Sequence, residues 1–137
     1  MKYFVIDASV VLKALLKESD TVIKKFTKIL KEAQNGQAVL LSSKFLAIEI
    51  ANGLRFTVKD KEEALKIFKD FMRLPIKTLV LTSSQKEKAL LTSYDLGTTV
   101  YDTSYHVLSK SYDAVFLTSD KSYYDKAKEL GQIEFIG

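Results

Sequence analysis

The chain has 137 residues, 47% of them hydrophobic and 28% charged, and this composition indicates one globular domain that spans residues 1–137. It contains no cysteine and a single histidine, His106, which excludes disulfides, thiolate zinc sites and histidine-rich metal sites. The net charge of +4 permits nucleic-acid binding without establishing it.

Apolar runs alternate along the chain with segments of helical periodicity that begin at a capping residue. In chain order the sequence predicts strand 3–6, helix 9–17, helix 20–36, strand 38–41, helix 42–57, helix 60–74, strand 76–81, helix 83–97, helix 102–111, strand 114–117, helix 121–130 and strand 133–136. Nearly continuous apolar strands separated by helices are typical of a parallel sheet covered on both faces. The predicted fold class is therefore α/β, with about four or five parallel strands between two helical layers.

No apolar run approaches the length of a membrane span, and residues 1–5 have the pattern of a short strand rather than of a signal peptide. We therefore expect a cytoplasmic protein that makes no membrane contact.

Four acidic residues follow or flank the predicted strands. Asp7 directly follows the first strand, Asp120 follows the fourth, Asp102 opens the helix before the fourth strand, and Glu49 lies inside the apolar helix after the second strand. Ligands of parallel α/β sheets bind beyond the carboxyl ends of the strands. The sequence therefore predicts that these carboxylates meet at one end of the sheet.

Each acid also has a purely structural interpretation. Asp7, Asp102 and Asp120 can cap the helices that they precede, and Ser9 competes with Asp7 for that position. Glu49 has no lysine or arginine three or four residues away, so its partner must come from elsewhere in the fold or be a cation. Taken together, the acids favour a site for Mg²⁺ or Mn²⁺, which prefer carboxylate oxygens and serve in phosphodiester hydrolysis.

The segments that contain these acids, residues 5–12, 46–54, 101–105 and 117–120, occur in an order and spacing that extend over the whole chain. As a set they resemble the motifs of the PIN-domain ribonucleases, and among these the VapC-like toxins of toxin–antitoxin pairs. The resemblance implies a three-layer α/β/α, Rossmann-like fold and a metal-dependent endoribonuclease that acts on RNA. It also implies a cognate antitoxin and a homodimer.

The resemblance implies roles for individual residues as well. Asp7, Glu49, Asp102 and Asp120 would be the catalytic acids and the ligands of Mg²⁺ or Mn²⁺, and the hydroxyls of Ser9 and Thr118 would lie near the metal. Two positions depart from the family pattern: Ser42 and Ser43 stand where a proline is common, and Thr103 stands where alanine is usual. Neither departure removes an acid.

Two further polar residues lie close to these motifs in the sequence. Asp125 follows Asp120 by five residues and is a candidate auxiliary acid, although we favour a solvated position on the last helix. His106 lies one helical turn after Asp102, and we interpret it as a packed or surface residue rather than as a ligand.

Three other classes of protein stay open at this point. A haloacid-dehalogenase-like phosphatase needs a second acid two residues after Asp7, where this chain has Ser9, and a receiver domain needs paired acids there. The same sequence is also compatible with a PIN-like module that binds RNA without cleaving it, although the complete set of acids argues against this. Metal-dependent cleavage of single-stranded RNA distinguishes it from an enzyme.

Two surface features bear on partners. The lysines on the second helix, Lys24, Lys25, Lys28 and Lys31, form a row that we interpret as a solvated face, with nonspecific binding of phosphate as the alternative. Helix 60–74 has more apolar residues than one face needs, and most tyrosines follow residue 93. This excess predicts a twofold dimer through helical surface away from the acids.

Overall fold

The structure is a computed structural model that describes all residues, 1–137. The strands are β1 (Lys2–Ile6), β2 (Ala38–Ser43), β3 (Lys77–Leu79), β4 (Val115–Thr118) and β5 (Ile133–Phe135). The helices are α1 (Ala8–Leu15), α2 (Asp20–Gln34), α3 (Leu46–Thr57), α4 (Lys61–Met72), α5 (Ser83–Leu96), α6 (Val100–Ser111) and α7 (Lys121–Ala127). None of these helices has both the length and the apolarity needed to cross a membrane.

The five strands form one parallel sheet in the order β3-β2-β1-β4-β5. Successive residues of each central strand point to opposite faces. On one face Ile6 and Leu117 belong to a core that also contains residues of α1 to α4. On the other face Val5 and Phe116 pack with α6 and α7. The predicted three-layer α/β/α architecture with a central parallel sheet is confirmed.

The strand order places a topological switch at the centre of the sheet. From β1 the chain first moves outward to β2 and β3 on one side, and later to β4 and β5 on the other. Beyond the carboxyl ends of β1 and β4 the connections diverge, and this is the position at which ligands of such sheets bind. Asp7 and Asp120 lie directly after these two strands.

The bounds of β2 and α3 differ from the prediction. Strand β2 continues through Ser42 and Ser43, so neither serine caps α3, which begins at Leu46 without a side-chain cap. The reason is tertiary: the Ser42 hydroxyl donates to the Ile6 carbonyl at 2.7 Å, and residues 41–43 pair with β3. Strand pairing therefore prevails over the capping preference of serine.

Three other elements also differ from their predicted bounds. Helix α6 begins at Val100, because the Thr99 hydroxyl caps it by accepting from the Asp102 backbone N–H. Strand β3 is limited to residues 77–79. Helix α7 ends at Ala127 and is followed by one turn of 3₁₀ helix over residues 128–130.

Candidate active site

Asp7 follows strand β1 and contacts the end of the neighbouring strand β4. It caps α1, and its Oδ1 accepts from the Val10 backbone N–H at 3.2 Å and from the Ser9 hydroxyl at 2.6 Å. Its Oδ2 accepts from the Thr118 hydroxyl at the end of β4, at 2.7 Å. The prediction that Asp7 is a cap is confirmed, and Ser9 supports this carboxylate instead of replacing it.

The carboxylate of Asp7 is buried, with 8% of the residue exposed. Burial raises its pKa from 3.8 to about 6, and the hydrogen bonds from Ser9, Thr118 and Val10 oppose part of that rise. The negative charge of Asp102 raises the pKa further. Hydrogen-bond donors therefore hold the Asp7 side chain in place, and no lysine or arginine forms an ion pair with it.

Glu49 projects from α3 and is half-buried. Burial raises its pKa, and the charge of Asp102 adds to this effect. Its partner within the chain is Tyr105 of α6, whose hydroxyl donates to Glu49 Oε1 at 2.8 Å. Sequence reasoning missed Tyr105, although its place one turn after Tyr101, on the same helix as Asp102, was the available signal.

Asp102 lies in the first turn of α6 and is also half-buried. The interpretation of Asp102 as a cap is wrong, since Thr99 occupies that position. Burial raises the pKa of Asp102, and the charge of Asp120 adds to the rise. Its carboxylate therefore interacts electrostatically with the other three acids.

Asp120 caps α7 by accepting from the Tyr123 backbone N–H at 3.0 Å, as one interpretation of the sequence predicted. Its own backbone N–H donates to the Thr118 hydroxyl at 3.1 Å. Thr118 is thus hydrogen-bonded to both Asp7 and Asp120. Capping uses one oxygen of Asp120, so the other oxygen is available to a ligand.

We call Asp7, Glu49, Asp102 and Asp120 the acid edge. None of them takes part in the ion pairs of the structure, so no lysine or arginine compensates their charge. Carboxylate and hydroxyl oxygens suit a hard cation. The present side-chain positions do not bring three acids or histidines close enough together to hold a metal ion. The donors therefore fit Mg²⁺ or Mn²⁺ in chemistry, while a complete set of ligands is not yet assembled.

The other candidates have partners of their own. Asp125 is exposed and forms an ion pair with Lys121 at 2.9 Å, rather than a contact with the acid edge. His106 is buried, as the packed interpretation predicted: Nδ1 lies 2.9 Å from the Tyr123 hydroxyl and Nε2 lies 2.8 Å from the Gly131 carbonyl. Both of its ring nitrogens are occupied.

Three solved structures share this fold over nearly the whole chain. A chain of VapBC2 from Rickettsia felis, bound to a DNA fragment from the promoter, is 13% identical with a TM-score of 0.71, and the match covers 98% of this chain and 99% of that one. A chain of DNA-bound VapBC from Salmonella typhimurium is 16% identical with a TM-score of 0.67, covering 98% and 97%. PAE2754 from Pyrobaculum aerophilum is 22% identical with a TM-score of 0.65, covering 97% and 83%.

A comparison with curated proteins finds no sequence match. The model of the PIN domain family, in contrast, matches residues 4–129 and so includes all four residues of the acid edge. Its extent favours the PIN interpretation over the phosphatase and receiver alternatives. On this match, the chain belongs to the PIN domain family.

Proposed function

We propose that this PIN domain is a metal-dependent endoribonuclease and the toxin of a VapC-like toxin–antitoxin pair. The observation that supports it most is the acid edge: four carboxylates without a cationic partner, at the switch point of a PIN-domain sheet. Carboxylates that raise one another's pKa are strained until a cation joins them. Such uncompensated carboxylates suit phosphodiester chemistry, in which a divalent cation joins them.

In this proposal Asp7, Asp102 and Asp120 hold Mg²⁺ or Mn²⁺, and Glu49 is either a ligand or the group that orients the attacking water. A bound divalent ion supplies a lowered water pKa and offsets charge on the phosphate. The chain itself keeps the ligands in place through Ser9, Thr118 and Tyr105, which donate to these carboxylates. Burial raises the pKa of Glu49, which makes its carboxylate a better proton acceptor than an exposed glutamate.

A second candidate is an RNA-binding PIN module that does not cleave. One observation favours it, namely that no three acids are grouped closely enough to hold a metal in the present arrangement. Both candidates bind RNA, and they differ in whether the RNA is cleaved.

Cleavage of a single-stranded RNA by the purified chain, with Mg²⁺ or Mn²⁺ and with EDTA, tests the proposal. We expect cleavage that stops in EDTA and that Asp102→Asn abolishes. Asp125→Asn is the matched control, because Asp125 is an acid that is exposed and paired with Lys121. Tight RNA binding without cleavage under any metal would favour the non-catalytic module.

The proposal includes a cognate antitoxin that covers the acid edge. Two of the similar structures, from Rickettsia felis and Salmonella typhimurium, contain VapBC. An arginine or lysine from a partner protein would pair with the uncompensated carboxylates through charge-assisted hydrogen bonds. A short peptide with a central arginine should therefore slow RNA cleavage, and its alanine counterpart should not.

We also propose a homodimer. The residues of α4 divide between two environments: Phe71 is buried and Phe68 packs against the core, whereas Leu65 and Met72 are exposed. Helix α5 exposes further apolar side chains, including 66% of Leu91. Light scattering at micromolar concentration tests the dimer, since a mass of 15.5 kDa would mean a monomer.

A further inference from the structure

An apolar pocket of about 370 Å³ lies between the start of α3, helix α5 and the start of α6. Its walls include the rings of Phe45 and Tyr101 and the side chains of Leu81, Ala89 and Lys86. None of the residues of the acid edge lines it. The pocket is therefore a separate feature that the proposed chemistry does not use.

The pocket and the acid edge share two helices, α3 and α6. Phe45 precedes Glu49 by one turn, and the Glu49 backbone N–H donates to the Phe45 carbonyl at 3.0 Å. Tyr101 directly precedes Asp102 in the first turn of α6. Tyr105, one turn after Tyr101, donates to Glu49. The two helices that position Glu49 and Asp102 therefore also form walls of the pocket.

The pocket walls have the chemistry of a nucleobase site. Phe45 is 46% exposed and Tyr101 is 62% exposed, and their rings meet edge to face with centroids 6.0 Å apart. Proteins that read single-stranded RNA stack unpaired bases on tyrosine and phenylalanine rings. The Ser104 hydroxyl donates to the Tyr101 carbonyl, so its own lone pairs remain free to accept from a base amine.

Charge favours a nucleic acid over a purely apolar occupant. Lys86 is the charged residue of the pocket wall, and it takes part in none of the ion pairs of the chain. This lysine provides a positive contact for a phosphate group. The aromatic rings suit the base of a nucleotide, and the neighbouring ammonium group of Lys86 suits its phosphate.

We propose that this pocket binds a base of single-stranded RNA next to the cleaved phosphate, stacked on the Tyr101 ring with Phe45 against the edge of the base, and with Lys86 on a neighbouring phosphate. The inference rests on the proposed function, which it extends from RNA cleavage to the placement of the substrate. A side chain from a second copy of the chain is the competing occupant.

RNA affinity of the Asp7→Asn chain tests the pocket without cleavage. Short single-stranded RNA should bind more tightly than a ribose-phosphate oligomer of equal length that lacks bases. Tyr101→Ala should weaken RNA binding by roughly 5- to 150-fold, the range of one stacked base, and Tyr101→Phe should retain it. Tyr112→Ala is the matched control, since Tyr112 is an exposed tyrosine at the opposite end of α6.

A second pair of variants repeats the comparison on α3, where Phe45→Ala should weaken binding and Phe56→Ala, at the other end of the helix, should not. Equal losses at Tyr101 and Tyr112, or equal affinity for RNA and the base-free oligomer, would overturn the inference. So would a Tyr101→Ala variant that keeps its RNA affinity but loses a dimeric mass. Absence of cleavage by the natural chain contradicts the nuclease alone, because this test measures binding.

Discussion

Helix α6 contributes to two groups of buried or half-buried polar side chains that differ in how completely they are paired. Toward the acid edge, Asp102 raises the pKa of Asp7 and Glu49, and no cation compensates these charges. Toward α7, His106 is held between the Tyr123 hydroxyl and the Gly131 carbonyl. The acids have charges without a cationic partner in the chain, whereas both ring nitrogens of His106 have hydrogen-bond partners.

The group around His106 is also neutral. Burial lowers the pKa of His106, and the Gly131 carbonyl can only accept, so Nε2 carries the proton and Nδ1 accepts from Tyr123. Every polar atom of this ring is therefore satisfied inside the chain. His106 therefore serves the fold, whereas the acid edge has charges that no lysine or arginine of the chain pairs.

The largest expected effect is on cleavage by Asp7→Asn. Removing one charge from the acid edge should lower the rate of RNA cleavage by at least about 100-fold, because a divalent ion contributes several kcal/mol to the transition state. Circular dichroism should show an unchanged fold, since asparagine also caps helices. A variant with the natural rate would mean that the acid edge has no part in cleavage.

His106→Ala should have the opposite effects, a less stable fold and an unchanged rate of RNA cleavage. It leaves a cavity and removes the partners of the Tyr123 hydroxyl and the Gly131 carbonyl, so we expect a loss of about 3 kcal/mol in the free energy of unfolding. Urea denaturation measures that loss, and the cleavage rate of the folded variant should be unchanged. A stable variant with impaired cleavage would place His106 with the acid edge instead.

Asp7→Asn should stabilise the chain in the absence of metal. The folded pKa of about 6 exceeds the ordinary 3.8, so the folded state binds more protons and the free energy of unfolding falls as pH rises through that window. At pH 7.5 the variant should gain about 1–2 kcal/mol, and near pH 4 the gain should vanish. Asp125→Asn, an exposed control, should stay within about 0.5 kcal/mol at both pH values.

The smallest expected effect is that of Tyr105→Phe. The hydroxyl of Tyr105 lowers the pKa of Glu49, and its loss should move the acidic limb of the pH–rate profile to higher pH. The rate near neutral pH should fall by up to about tenfold, which corresponds to the net value of one ordinary hydrogen bond, roughly 0.5–1.5 kcal/mol. Tyr112→Phe serves as the control, and equal profiles for both variants would remove the positioning role of Tyr105.

Much of the fold could be predicted because it depends on local patterns. The alternation of apolar strands and capped helices predicted the parallel sheet, and the position of Asp7 after β1 predicted a cap. The extent of β2 could not be predicted, since it depends on the contact of Ser42 with Ile6 and on pairing with β3. These are contacts between distant parts of the chain.

The same limit applies to the acid edge. Sequence patterns identified the four acids one by one, but the hydrogen bond between Tyr105 and Glu49 joins residues 56 positions apart. The hydroxyl of Thr118 likewise reaches Asp7 across 111 positions. Spacing along the chain does not reveal such pairs, because it is the strand order that brings β1 and β4 together.

Binding of Mn²⁺ measured by calorimetry tests the central claim, that the acid edge is an incomplete site which a divalent cation completes. We predict that the natural chain and Asp125→Asn bind Mn²⁺ alike, and that Asp102→Asn binds it at least about tenfold more weakly because one ligand charge is lost. Equal binding by all three chains, or no binding by the natural chain, would contradict this account.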